Sequence, residues 1–309
     1  MIRGFVTLAT GNIKYYKMAL NMLKSFRLHN PGVPFAIVCD RENEVTAEFD
    51  DVVILEKANG DYRDKFSLLV NAPYDENIFI EPDCLVYRNL DFFWELLSKE
   101  SDFSCFGWNK GGVKCWFETE AAFEQVLEVI PVLKENYEAP LFNPGYFFIR
   151  KGEKTKKMYE DCLDFAKRIW ANETLRNHPH ILCRGKLRDD PIFNIAMLVN
   201  GFKCNEKPEI GKCIFLPSKY EINHIDIDKS ILDVSDKNGK KYESCSLIHF
   251  STRRANEEGL YLWQKVIVDL LYKNRNSVFA KVLNNKIAKV IFCFYRYVKT
   301  RIKWVLKIK

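Results

Sequence analysis

The sequence predicts an α/β fold built on a doubly wound, mostly parallel sheet. Two observations carry that expectation. Short apolar runs of strand length alternate with helix-length segments from the first residues onward, the β-α-β order from which parallel sheets are assembled. Acidic residues follow two of these runs directly, at Asp40 and at Glu81. Open sheets of this kind bind ligands just there, beyond the carboxyl ends of their strands.

Residues 5–9 make the predicted first strand and Thr10-Gly11-Asn12 its turn. Residues 15–28 follow as a helix whose apolar stripe is Ala19, Leu20, Leu23 and Phe26. Asn30-Pro31-Gly32 stops that helix. Residues 35–39 and 52–55 read as the second and third strands, and a helix over 64–71 delivers the chain to the run I-F-I-E-P-D-C-L-V-Y at 78–87. Beyond it the pattern predicts a short helix over 91–97, a strand over 103–108, a loop over 109–116 bordered by Trp108 and Trp116, and a helix over 119–130. A turn and then an aromatic strand are expected over 142–150, with helices over 153–170 and 188–200. The second of these opens on acids and a proline, as helix starts do. A late strand over 246–250 carries His249, and a helix over 256–272 follows.

At 309 residues and 47% hydrophobic, the chain has material for a sizeable core. Its net charge of +6 hides an asymmetry. Residues 270–309 contain 11 Lys or Arg and no acid, whereas residues 1–269 hold 36 basic against 41 acidic residues, a net −5. A mildly acidic body thus carries a basic tail. The ten cysteines form no C-x-x-C pair, so no zinc ribbon or thioredoxin-like motif is indicated, and they are expected as reduced, small core residues. The chain opens on a strand and not on a charged-then-apolar leader, and no run approaches the ~20 apolar residues of a membrane span. A cytoplasmic protein is expected, in which the sequon Asn172-Glu173-Thr174 has no role.

The chemistry concentrates at Glu81 and Asp83, separated only by Pro82. An unpaired carboxylate inside a buried strand is costly, so these acids mark a strand end. Two readings stand side by side. The pair holds a divalent cation that neutralises a diphosphate, or Pro82 makes a β-turn with solvated acids on both sides. Similar pairs of readings apply elsewhere. Lys65 is a ligand contact or a surface helix residue, and His249 a metal ligand or a satisfied core histidine. The Trp108–Trp116 loop is ordinary packing or a platform for stacking on sugars, while His178-Pro179-His180 reads as a solvated loop.

Taken in order, the motifs resemble the retaining glycosyltransferases of family 8, the glycogenin and bacterial galactosyltransferase group, over residues 3–250. G-F-V-T-L-A-T with Tyr15 and Ala19-Leu20 is similar to the family's first strand and helix, and Asp40 sits where the second strand ends. Lys65 resembles the basic residue upstream of the acidic motif, and I-F-I-E-P-D-C-L-V its Asp-x-Asp element. F-N-P-G-Y-F-F-I resembles the Asn-Ser-Gly strand, D-D-P-I-F-N the Asp-Gln helix start, and I-H-F the segment with the last metal-binding histidine. The resemblance implies a GT-A fold over 1–272 and a UDP-hexose donor with a glycan or lipid-linked glycan acceptor. It implies Mn²⁺ or Mg²⁺ on Glu81, Asp83 and His249, and imidazole tilts the choice to Mn²⁺. Donor contacts fall on Thr10, Tyr15, which stacks on the base, Asp40, Lys65, Glu81 and Arg253 beside Arg254; Asn143, Asp189 and Asp190 orient the sugar and acceptor. Four departures are visible. Glu81 replaces an Asp, Pro82 lacks an N–H, Asp190 stands in place of Gln, and S-T-R-R-A-N follows Phe250 where the family has Gly and Lys-Pro-Trp. Other readings are a domain of this fold that binds nucleotide or glycan without turnover, and a nucleotidyltransferase, whose Gly-rich basic first loop is missing.

Residues 273–309 read as a separate tail. Phe279, Leu283, Ile287, Ile291, Phe294, Val298, Ile302 and Val305 line one helical face, with Lys289, Arg296, Lys299, Lys303 and Lys307 on the other. That pattern fits a helix lying on an anionic membrane surface, with Trp304 at the headgroup boundary. A helix packed on the domain is the plainer alternative. No nucleic acid is expected, because the acidic body offers no companion basic face.

Overall fold

The computed structural model describes residues 1–98, 101–109, 120–135, 141–178, 181–183, 186–202, 204–205, 213–216, 220–236, 238–250 and 255–284, some of them, including 107–109, 141–144 and 255–259, by backbone alone. In chain order the first strands are β1 (Arg3–Ala9), β2 (Phe35–Cys39), β3 (Asp51–Ile54), β4 (Glu76–Ile80) and β5 (Cys84–Val86). Then come β6 (Phe103–Asn109), β7 (Leu141–Arg150), β8 (Leu182–Cys183), β9 (Lys186–Leu187) and β10 (Cys204–Asn205). The last are β11 (Cys213–Leu216), β12 (Tyr220–Asp226), β13 (Ile231–Asp236), β14 (Lys241–Tyr242) and β15 (Leu247–Phe250). The chain groups into two compact units. One comprises Met1–Tyr16, Pro34–Glu81 and Asp91–Pro208, the other Lys17–Val33, Pro82–Leu90 and Glu209–Lys309.

The first unit is organised by a seven-stranded sheet in the order β10-β6-β7-β4-β1-β2-β3. Pairings β1–β2, β1–β4, β2–β3 and β10–β6 are parallel, whereas β7 runs antiparallel to both β4 and β6. The sheet is therefore mixed but mostly parallel. All residues of β2 and β4 are buried, which is why they read as unbroken apolar runs in the sequence. The turn expected near Asn143-Pro144-Gly145 is instead taken up within β7. Gly107 pairs with Phe142 and Cys105 with Phe147, so extra β7 residues bulge opposite β6. Proline cannot donate to a ladder, and a bulge is where strands tolerate it. Against one face packs an aromatic core in which Phe147 lies 5.3 Å from Phe103 and 5.4 Å from Phe193, ring centre to ring centre. Phe193 comes from the helix Asp189–Val199, Met158 and Phe165 from the helix Glu153–Ala171.

The second unit contains a three-stranded sheet, β11-β15-β5, whose β15 is the late strand expected over 246–250, and a meander, β12-β13-β14, that the sequence pattern did not announce. β15 pairs parallel with β11 and antiparallel with β5. Leu85, Ile248, Ile225, Trp263 and Ile267 belong to its core, the last two from the helix Ala255–Lys273. The Trp263 indole donates to the Leu283 carbonyl at 3.0 Å, tying down the short helix Val278–Leu283. Ser277 caps that helix by accepting from the Ala280 N–H at 3.3 Å. Ala280 is buried, while Val278, Phe279 and Val282 face solvent at 71%, 75% and 60% exposure. Residues 285–309, the greater part of the expected membrane tail, lie outside the described residues. Among the described residues no helix is long and apolar enough to cross a membrane.

Candidate functional site

The carboxyl edge of β1 gives way to the turn at Thr10-Gly11-Asn12, and a residue the sequence did not single out holds that turn. Asp64 is 3% exposed. Its carboxylate accepts from the Thr10 hydroxyl at 2.7 Å, the Asn59 N–H at 2.6 Å, the Gly60 N–H at 2.8 Å and the Asn59 side-chain amide at 3.1 Å. Gly11 and Gly60 adopt φ of 71° and 65°, and a Cβ on Gly11 would sit 3.2 Å from the Gly60 Cα. Two loops thus touch backbone to backbone, which only glycine permits without strain.

Asp40 ends β2 as expected. It accepts from the buried Tyr16 hydroxyl, from the Gly11 N–H at 3.1 Å and from Arg41 at 3.0 Å. Burial works against its charge, but these donors prevail and hold its pKa below the usual carboxylate range. Burial and the neighbouring Asp40 push the Tyr16 hydroxyl in the opposite direction, up. Tyr15, the stacking candidate, is 42% exposed.

Lys65 is buried, and its ammonium lies against the carboxylates of both Glu81 and Asp189. Burial favours the neutral amine, yet Asp189, Glu81 and Asp190 outweigh it and raise the lysine pKa. The carboxyl of Asp189 is pushed up to about 7, chiefly by burial, with Lys65 opposing and Asp190 and Glu81 reinforcing. Two carboxylates therefore share one buried ammonium, and a third, Asp190, acts on it from a distance while paired to Arg188. Both aspartates stand in the first turn of the helix Asp189–Val199, where the unpaired N–H groups favour negative charge. Glu81 directly follows β4, and its N–H donates to the Gly145 carbonyl at 2.8 Å.

Within the second unit, Asp83 Oδ1 lies 3.1 Å from His249 Nε2. A divalent cation fits this donor set. A carboxylate oxygen, an imidazole nitrogen and the Cys84 sulfur lie within 4.8 Å of one another among the described residues. Asn143 is placed on β7, though its side chain lies outside the description, and Arg253, Arg254 and Trp116 lie outside the described residues altogether.

The fold is α/β, a mixed, mostly parallel sheet flanked by helices, and it is GT-A-like by its likeness to one solved structure. The crystal structure of the galactosyltransferase LgtC, in complex with donor and acceptor sugar analogues, matches 89% of this chain and 97% of its own with a TM-score of 0.50 and 11% identity. The glycosyltransferase GlyE of Streptococcus pneumoniae TIGR4 matches 67% of this chain and 46% of its own (TM-score 0.42, 14% identity). The bifunctional glycosyltransferase WbbM matches 69% and 40% (TM-score 0.45, 11% identity). No family model matches the sequence, and no curated protein does. The likeness to LgtC shows the fold, the one that the motif order implies.

Proposed function

We propose that the protein is a metal-dependent retaining glycosyltransferase that moves a hexose from a UDP-sugar to a glycan or lipid-linked glycan acceptor, in the synthesis of a cell-surface polysaccharide. The observation that carries this reading is the Asp83–His249 pair, one residue placed just before β5 and the other on β15, in a chain whose fold matches LgtC over 89% of its length. Asp83 and His249 would hold a divalent cation, Mn²⁺ before Mg²⁺, which would supply Lewis-acid neutralisation of the charge developing on the UDP leaving group. Glu81, two residues upstream, keeps the ligand candidacy that its place in the chain gives it.

Tyr15 stacks on the base, and Asp40 and Thr10 fix the loop that receives it. Lys65 holds Glu81 and Asp189 in place, and Asn143, Asp189 and Asp190 orient the sugar hydroxyls and the acceptor. Arg253 adds positive charge at the diphosphate. The acceptor oxygen bonds to the anomeric carbon on the face that UDP leaves, and its proton departs with the diphosphate. The exposed Val278, Phe279 and Val282 open the acid-free stretch that continues to Lys309, and they support association with the anionic cytoplasmic face of a membrane.

A panel of UDP-sugars, assayed for hydrolysis and transfer with and without Mn²⁺, tests the reading. Turnover of one UDP-hexose that requires the metal supports it, and absence of turnover with every donor refutes it. One observation favours a second reading, ligand binding without turnover: Lys65 directs its charge to Glu81 and Asp189 within the protein. Stabilisation by UDP without hydrolysis in the same panel would select that alternative.

A further inference from the structure

We propose that Cys84 is a third ligand of the Asp83–His249 cation site, and that its thiolate makes this site accept thiophilic divalent cations such as Zn²⁺ and Cd²⁺ alongside Mn²⁺. The inference rests on the metal site of the proposed function and adds a donor to it. Strand geometry supplies the first argument. Cys84 stands directly opposite His249 in the antiparallel β5–β15 pair. Residues directly opposite each other in such a pair project to the same face, with Cβ atoms about 4.5–5.5 Å apart. The neighbouring pair, Leu85 opposite Ile248, belongs to the apolar core of the unit, so alternation sends Cys84 and His249 to the other face.

Asp83 reaches the same place from the residue before the strand, with Oδ1 3.1 Å from His249 Nε2. Its own carbonyl accepts from the Phe250 N–H at 3.0 Å, so the ladder fixes the backbone on both sides of the donors. The oxygen, sulfur and nitrogen atoms lie within 4.8 Å of one another, so a shift of about 1 Å brings all three onto one ion at bonds of about 2.0–2.3 Å. Cys84 and His249 are buried while Asp83 is part-exposed, so the carboxylate marks the side from which an ion enters.

Chemistry supplies the second argument. A carboxylate and an imidazole alone accept hard and borderline ions alike, whereas a thiolate selects soft ones. Coordination takes the sulfur as thiolate, and its proton passes to solvent.

Cobalt titration of the full-length protein tests the proposal. Wild type with Co²⁺ should show a sulfur-to-metal charge-transfer band in the near ultraviolet together with visible ligand-field bands. Cys84→Ser should lose the first and keep the second, and His249→Ala should lose both. Cd²⁺ affinity of Cys84→Ser should fall on the order of tenfold or more, since even outer-shell changes cost that much, while Mn²⁺ affinity holds within about threefold. A charge-transfer band that persists in Cys84→Ser, or that is absent from wild type, overturns the assignment and leaves Cys84 a core residue. Cobalt bound through Cys84 in a protein that turns over no UDP-sugar would uphold this inference and remove the transferase reading instead.

Discussion

The ammonium of Lys65 and the carboxylate of Asp189 meet in the interior of the first unit, at 5% and 3% residual exposure. Glu81 approaches the same ammonium from the end of β4. Removing the cation leaves Asp189 buried without compensation and Glu81 half-buried without its partner, so Lys65→Met should destabilise the protein by about 3–5 kcal/mol. Lys65→Arg, which retains the charge, should recover most of that loss. Urea unfolding of the three proteins checks the order, and a Met variant as stable as wild type would show that the pair is dispensable.

Asp64 makes a comparable prediction for the neighbouring loops. Asp64→Ala strands the Thr10 hydroxyl and the Asn59 and Gly60 N–H groups, at a cost of about 2–4 kcal/mol. Hydrogen exchange at Gly60 should accelerate in this variant, and stabilisation by UDP should shrink in parallel. Unchanged exchange at Gly60 would mean that the loops hold themselves.

His29 gives the pH dependence a sign. Burial, reinforced by Arg275 and Arg88, pulls its pKa down to about 4 in the folded chain, against roughly 6.5 when unfolded. The stability of the neutral form is thus complete above about pH 6.5 and is lost as the pH falls through about 4. The loss should come to about 2 kcal/mol once solvent screening is discounted. A His29→Gln variant should lack this share of the acid sensitivity, as measured by thermal unfolding at a series of pH values.

The tail prediction is independent of the candidate site. Truncation after Asn284 keeps the Trp263–Leu283 hydrogen bond and removes most of the basic stretch. Donor hydrolysis should be nearly unchanged, while flotation with anionic liposomes should fall severely. High salt should weaken flotation of the intact protein, because screening acts on exposed charges. Flotation of the truncated chain equal to that of the full chain would locate the membrane contact elsewhere or remove it.

How far the sequence disclosed this structure depended on the physics of each element. β2 and β4 were legible because strands buried on both faces appear as continuous apolar runs, and Asp40 and Glu81 marked their ends. The direction of β7 was not legible, since hydrophobic alternation is the same for parallel and antiparallel strands. β5 was hidden for another reason: it continues the same apolar run after Pro82 yet pairs with β15 in a separate sheet. The helix expected over 64–71 is a 3₁₀ turn, Tyr62–Ser67, followed by the short helix Leu68–Asn71. Asp61, Asp64 and Ser67 bond to nearby backbone there and compete with regular helix. Asp64 itself escaped notice because one buried acid is indistinguishable, in sequence, from one on the surface. Its partners lie 54 residues upstream as well as beside it.

The contact between Gly11 and Gly60 ties two distant positions into a single heritable unit. Each has a left-handed backbone, and a methyl group at position 11 would press on the Cα at position 60. A side chain at position 11 needs the opposite loop to give by a few tenths of an ångström. One at position 60 meets Gly11 at an ordinary 3.5 Å and bears only the strain of the left-handed backbone. In descendants of this chain, a residue other than glycine at position 11 should therefore be accompanied by a changed loop around position 60.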